Sequence, residues 1–159
     1  MLAATRSECA RLADQLERGF RGGAWHGPAL GEVLAGVEAP LAGWRPAPGF
    51  HTIADLVGHL TYWMGETAHR MGGVESQPGP DWPRDETLTA TAWKGQLAEL
   101  EAAYRSLQGA LGALDDSRLE DAVPGADPTI RGLLLGTLQH NAYHSAQMAL
   151  LRKLAESRP

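Results

Sequence analysis

The 159-residue sequence predicts an all-α fold, an antiparallel four-helix bundle with a short extra helix after the first helix. Four long segments repeat apolar residues at every third or fourth position, which is the spacing of one helix face. Stretches rich in Pro and Gly separate these segments, and no segment alternates polar and apolar residues as a β-strand does. A chain of this length suits one hydrophobic core, so we expect a single domain spanning residues 1–159.

Two helices are predicted in the first quarter of the chain. The first runs from about Thr5 to Phe20, and a Gly-Gly pair follows it. The short extra helix runs from Pro28, a residue favoured in the first helical turn, to about Val37. The next segment is expected to be irregular because it contains three prolines, Pro40, Pro46 and Pro48.

Three longer helices complete the predicted bundle. One begins after Thr52, a good N-cap with Asp55 as its capping-box partner, and ends at Gly72. The last runs from about Thr129 to Glu156. The helix between them has the most regular apolar spacing, at Trp93, Leu97, Leu100, Tyr104, Leu107, Leu111 and Leu114.

Composition excludes several classes of protein. The net charge is -5 and the 14 basic residues are scattered, whereas a nucleic-acid-binding protein concentrates positive charge on one surface. Charges, Gly or Pro interrupt every apolar stretch before it reaches the length of a membrane span, and no signal peptide is recognisable. We therefore expect a cytoplasmic protein with neither nucleic acid nor membrane as a partner.

The single cysteine, Cys9, excludes an internal disulfide. It belongs to a helical series of apolar residues with Leu12, Leu16 and Phe20. Free cysteine is among the residue types most often buried, so this spacing favours a small core residue over a catalytic thiol.

Two histidines on the last predicted helix, His140 and His144, are the first sign of a site. They are four residues apart, so their rings project from one helix face, one turn above the other. That face also carries apolar residues and is expected to point inward. The pair alone fits hydrogen-bonded structural histidines equally well, and Asn141 stands where zinc proteases carry glutamate.

His59 favours a metal site over structural histidines. It lies between Leu56 and Trp63 on the second long helix, one turn from each, and so also faces the interior. Bundle metal sites are built from side chains on facing helices, and buried imidazoles need partners for both ring nitrogens. We therefore expect His59, His140 and His144 to bind one divalent ion, for which Zn, Ni, Fe or Mn is suitable.

Other polar residues could act around such a site. His26 and His51 lie in loops that could border it and could serve as acid, base or substrate contact, with a plain loop role as the alternative. Glu66 follows His59 by seven residues and Gln147 follows His144 by three, so either could orient a ligand. A solvated or packing role remains open for both. Pocket contacts are expected from the loops at residues 38–51 and 73–87, with Trp44, Arg45, Trp82 and Arg84.

The sequence resembles the DinB/YfiT-like superfamily of four-helix-bundle metalloproteins over nearly its whole length. The resemblance is carried by one histidine on the second long helix and two spaced by four on the last. The segments that carry it are Ala24-Trp25-His26-Gly27-Pro28, Phe50-His51-Thr52-Ile53, Val57-Gly58-His59-Leu60 with Trp63, and His140-Asn141-Ala142-Tyr143-His144-Ser145-Ala146-Gln147-Met148.

This resemblance maps the family's three metal ligands onto His59, His140 and His144. Family members with known activity include bacillithiol S-transferases, a mycothiol-dependent maleylpyruvate isomerase and glutathione-linked relatives. The resemblance therefore implies a metal-dependent transferase that takes a low-molecular-weight thiol, bacillithiol or a similar one, and a small electrophile as partners. It also implies a homodimer.

Chemistry agrees with a thiol-using enzyme and leaves two alternatives open. A metal held by three neutral ligands keeps its full positive charge and can ionise a bound thiol. The same centre could serve a hydrolase that uses metal-bound hydroxide, or a non-enzymatic metal-binding protein linked to stress. In the transferase the thiol comes from a cosubstrate, because Cys9 is expected to be buried.

Overall fold

The computed structural model describes residues 7–75, 79, 81–82, 88–125 and 128–158. The helices are α1 (Glu8–Arg21), α2 (Leu30–Leu34), α3 (Ala39–Ala42), α4 (Ile53–Met71), α5 (Ala90–Gly112) and α6 (Ile130–Glu156), with a 3₁₀ turn at Asp116–Arg118. This part of the chain contains no β-strand and only an isolated bridge between Ala122 and Thr129. The predicted all-α class is confirmed.

The long helices begin where local sequence chemistry predicts. Thr52 caps α4: its hydroxyl accepts the Asp55 N–H at 3.0 Å, and the Asp55 carboxylate accepts the Thr52 N–H at 2.9 Å. Thr129 caps α6, and its hydroxyl accepts the Gly132 N–H at 3.3 Å, so this helix begins close to its predicted start. The segment around Pro40 differs from the prediction of irregular chain, because this proline lies in the first turn of α3. A first-turn proline has no intrahelical N–H bond to lose, so it starts this helix.

Helices α1 and α5 pack side by side in opposite directions. The end of α1 contacts the middle of α5 through an ion pair between Arg21 and Glu101. The middle of α1 contacts a later turn of α5, where the Gln108 side chain donates to the Ala13 carbonyl at 3.1 Å. Residues later in α5 therefore contact residues earlier in α1, which makes the two helices antiparallel.

Helices α4 and α6 are antiparallel by the same test. His59, early in α4, contacts His140 of α6, with 2.9 Å between their Nε2 atoms. One turn short of the α4 terminus, Thr67 contacts the earlier Thr137, with 2.8 Å between the hydroxyl oxygens. These contacts make α4 and α6 the two walls of one interface.

The starts of α1 and α6 lie together, so these two helices run in the same direction. An ion pair of 3.1 Å between Glu8 and Arg131 joins them. Because α4 is antiparallel to α6 and α5 to α1, helices α4 and α5 also share one direction. The end of α4 and the start of α5 therefore lie at opposite ends of the bundle. The connection between them, residues 72–89, must span the length of α4, which is about 28 Å at 1.5 Å per residue. The predicted bundle is present, but the expected antiparallel arrangement holds for α1 with α5 and for α4 with α6, and not for α1 with α6 or α4 with α5. Helical periodicity predicts the bundle and does not fix which neighbours are parallel.

The core lies between these helices. Among its fully buried side chains are Leu60 and Met64 of α4, Leu107 of α5 and Met148 of α6. Cys9 is 4% exposed and packs in the same core, as its spacing predicts. None of the helices in the described ranges combines the length and apolar character needed to cross a membrane.

Candidate metal centre

The structure brings the three predicted metal ligands together. His59 comes from α4, and His140 and His144 come from consecutive turns of α6. One ring nitrogen of each lies within 4.8 Å of those of the other two. His59 and His144 are buried and His140 is half-buried.

Antiparallel packing of α4 and α6 explains this convergence. The spacing of four residues stacks His140 and His144 on the side of α6 that faces α4, with ring centroids 4.5 Å apart. His59 meets both of them from the opposite wall, at centroid distances of 4.9 and 4.8 Å. A single residue of α4 therefore completes a set that α6 alone cannot form.

Asp81 orients His59 from the connection between α4 and α5. The Nδ1 atom of His59 lies 2.9 Å from the Asp81 carbonyl oxygen and 3.0 Å from its carboxylate. Both are acceptors, so Nδ1 carries the proton and Nε2 keeps its lone pair. Trp82 stacks on the His59 ring with centroids 3.9 Å apart. Contacts of this kind fix the tautomer and orientation of histidine ligands in metal sites.

Gln147 does the same for His144. Its side-chain oxygen lies 2.7 Å from Nδ1 of His144 and accepts a hydrogen bond from the N–H at that position. The Nε2 atom of His144 is then the one with a free lone pair. The sequence spacing of three residues named Gln147 as a candidate for this role, and the structure places it in hydrogen-bond contact.

The contact between His59 and His140 shows that the cluster fits a metal ion. With Nδ1 of His59 protonated, the 2.9 Å contact between the Nε2 atoms requires His140 to donate. Two imidazoles bound to one tetrahedral zinc at about 2.05 Å have nitrogens about 3.3 Å apart. The two rings therefore need to separate by only a few tenths of an ångström for a metal to replace the shared proton.

The surroundings keep the α6 histidines neutral, which is the form that binds metal. Burial, together with the nearby imidazoles of His144 and His59, lowers the pKa of His140 from its ordinary value of 6.5 to about 4. Burial also lowers the pKa of His144, while the hydrogen bond to Gln147 raises it. Protons therefore compete weakly for these two ligands at neutral pH.

His51 lies next to the cluster through Trp82. The His51 and Trp82 rings are stacked with centroids 3.7 Å apart, and Trp82 in turn stacks on His59. Nδ1 of His51 is 3.9 Å from the carboxylate of Asp55, which also binds Arg45 at 3.0 Å. Two of the predicted pocket contacts, Trp82 and Arg45, thus belong to one series of contacting side chains that ends at His59.

The other predicted residues lie away from the three rings. His26 is exposed and, together with Asn141, lines a separate cavity between α1 and α6 that none of the three histidines lines. Glu66 is buried and its carboxylate lies 3.4 Å from Nε of Arg70. Trp44 packs under the guanidinium of Arg158. The predicted contact Arg84 lies outside the described residues.

Sequence reasoning missed Asp81 and the role of Trp63. The Trp63 indole N–H donates to the Asp81 carboxylate at 2.6 Å. The same carboxylate oxygen also lies beside Nδ1 of His59. No periodicity or motif in the chain around Asp81 links it to a histidine 22 residues earlier. The contact depends on the path by which the connection returns along α4, which only the folded chain reveals.

A cavity of about 420 Å³ opens beside the histidines. His59 and His140 line it, together with Trp63 and Asp81 and with residues from the first half of α6. The centre therefore has protein ligands on one side and space for a small molecule on another, which is the arrangement of catalytic metal sites.

Comparisons with known proteins agree with this architecture. A family model described as the DinB superfamily matches residues 24–148. A solved structure, titled the crystal structure of the conserved protein of locus from Enterococcus faecalis, superposes with a TM-score of 0.74 at 15% identity. The superposition covers 97% of this chain and 100% of that one, and at this identity it shows the shared fold. No match was found among curated proteins.

Replacing Gln147 by Met should weaken metal binding. The thioether fills a similar space but is a poor acceptor for Nδ1 of His144, and losing such a contact typically costs about 10–100-fold in metal affinity. A competition titration of zinc against a chromophoric chelator measures the change. Gln139→Met, an exposed position on α6, is the matched control and should bind zinc like the wild type. Equal affinity of all three proteins would contradict the role of Gln147.

Removing metal should expose a pH dependence of stability that comes from His140. Its pKa in the folded chain lies below the value of about 6.5 in the unfolded chain, so between these values the unfolded state binds more protons. The free energy of unfolding therefore falls as the pH drops from about 6.5 towards 4.

Urea denaturation of the chelated protein at pH 7.5 and 5.0 measures this loss of stability. It should be smaller in His140→Gln, which cannot take up the proton. An identical loss in the variant and the wild type would show that His140 does not titrate in this way.

Proposed function

The chain belongs to the DinB superfamily, and from this premise we propose that it is a metal-dependent transferase activating a low-molecular-weight thiol for attack on an electrophile. The observation that carries the proposal is the convergence of three imidazoles beside an open cavity. The proposal includes the expected cytoplasmic location and homodimer.

The Nε2 atoms of His59, His140 and His144 would hold the ion, which can be Zn, Ni, Fe or Mn. A divalent ion on three neutral ligands supplies a Lewis acid of undiminished charge, which favours the thiolate form of a thiol bound there. The chain itself orients the histidine rings and keeps the pKa of the two α6 histidines low. Asp81 and Gln147 fix two of the rings, and burial keeps the α6 pair deprotonated.

The thiol in this proposal comes from a small molecule because Cys9 is unsuited to attack. Cys9 lies at the start of α1, in a part of the core away from the histidines, and its N–H donates to the Asp116 carboxylate at 2.9 Å. Burial and the neighbouring Asp116 carboxylate together raise the pKa of its thiol to about 11. A thiol in this state is not a nucleophile at neutral pH, so bacillithiol, mycothiol or glutathione has to supply the sulfur.

His51 is the residue we assign to accept the proton released by the thiol. It is half-buried and reaches the histidine cluster through Trp82. Nδ1 of His51 lies 3.9 Å from the carboxylate of Asp55, which places an acidic group beside this imidazole. The separate cavity of His26 and the ion pair of Glu66 with Arg70 make those two residues weaker choices.

An assay of thiol conjugation tests the proposal. Zinc-loaded protein is incubated with 1-chloro-2,4-dinitrobenzene and with bacillithiol, mycothiol or glutathione in turn. One thiol should react faster than in the absence of protein: sulfur forms a bond to the ring carbon, chloride leaves with its electron pair, and the thiol proton is released. The rate should fall to background in His59→Ala, which removes a metal ligand.

His69→Ala is the matched control, since it changes an exposed histidine of the same helix. This variant should keep the wild-type rate and metal content. A full rate in His59→Ala, or no rate above background with any of the three thiols, would overturn the proposal. Thiol-independent cleavage of an ester by the same zinc-loaded protein would favour the hydrolase instead.

A further inference from the structure

The cavity beside the histidines has the size of a small-molecule site. Its volume of about 420 Å³ lies within the range of roughly 300–1,000 Å³ that ligand pockets occupy. His59 and His140 line it, so an occupant touches the rings that carry two of the three candidate ligand atoms. Leu133 and Pro128 also line it, and Gly136 leaves room on the α6 wall.

The polar groups of this cavity are already used inside the protein. The indole N–H of Trp63 and the Nδ1 proton of His59 both go to Asp81. The hydroxyls of Thr67 and Thr137 are 2.8 Å apart, and each also lies 2.9 Å from the carbonyl four residues earlier. The two hydroxyl protons are fewer than these three contacts, so neither threonine has a proton left to donate to an occupant.

Apolar contact is what the described walls offer an occupant. Asp81 is the acidic residue among the described residues that line the cavity, and none of those residues is Lys or Arg. Arg70 lies 5.8 Å from the Trp63 ring centroid and pairs with Glu66. Apart from a metal ion held by the histidines, an occupant therefore gains its affinity from the apolar side chains of the cavity.

We infer that this cavity binds the organic part of the electrophile and that its walls suit flat apolar groups. Leu133, Pro128 and the face of Trp63 supply apolar contact, and an aromatic group stacks well on such a surface. This inference names the substrate class of the site and rests on the proposed transferase function for its use in catalysis. Binding itself needs no thiol and is measured separately.

Gly136 allows the cavity to be filled without disturbing the helix. It lies one turn before His140, and a Cβ added to it would meet no atom within 4 Å. Gly136→Leu therefore places a side chain in the cavity and leaves all three histidines in place. Gly109→Leu is the matched control: it lies within α5, also has open space around its Cβ, and gains the same helix propensity away from the cavity.

Calorimetric titration of the zinc-loaded proteins measures binding of 4-chloro-3-nitrobenzamide, a neutral and flat aromatic probe. The wild type and Gly109→Leu should bind the amide equally. Gly136→Leu should bind it at least about tenfold more weakly, because the added side chain occupies the space of the probe.

The inference is overturned if the amide does not bind, or if Gly136→Leu leaves amide affinity unchanged. These failures are distinct from failure of the transferase. Amide binding that is weakened in Gly136→Leu, without turnover by any thiol, would uphold the cavity and overturn the transferase. Conjugation of the amide at equal KM in wild type and Gly136→Leu would uphold the transferase and overturn the cavity.

Discussion

Three imidazole rings packed between two helices need partners for six ring nitrogens, and much of this structure follows from how they are found. Two Nδ1 atoms are satisfied by Asp81 and Gln147, and two Nε2 atoms share one contact. Polar groups removed from water without partners are costly, so the site depends on these contacts. They also leave ring nitrogens that face one another, so a divalent ion can replace the proton that they share.

The topology of the bundle supplies one of those partners. Because α4 and α5 run in the same direction, the chain has to travel back along α4 between them. That return brings Asp81 to His59 and Trp82 to the stack between His59 and His51. A tight turn joining antiparallel helices would leave no chain to do this. The long connection thus has a chemical role in orienting a ligand and covering one side of the site.

Local chemistry made much of the fold and the three histidines readable from the sequence. The Thr52–Asp55 capping box depends on a neighbour three residues away and appears as predicted, and the last helix begins next to Thr129, close to its predicted start. The pairing of His140 with His144 follows from helix geometry alone. Adding His59 required only that its helix face inward, which its apolar neighbours indicate.

What the sequence did not reveal depends on contacts between distant segments or on position within a turn. Asp81 has no periodic relation to His59, and helix direction leaves no mark on the apolar pattern of any one helix. Pro40 was interpreted as a breaker because its effect depends on whether it falls in the first turn or later. The stacking of His51 on Trp82 likewise required the folded connection.

X-ray absorption at the metal edge of the zinc-loaded protein tests most directly whether His59, His140 and His144 form one metal centre. The account predicts a nearest shell of nitrogen, with oxygen in any remaining position, at about 2.0–2.1 Å, and outer scattering from three imidazoles. The triple-alanine variant should retain no ion to measure. A shell without imidazole scattering, or an unchanged spectrum from the triple-alanine variant, would contradict it.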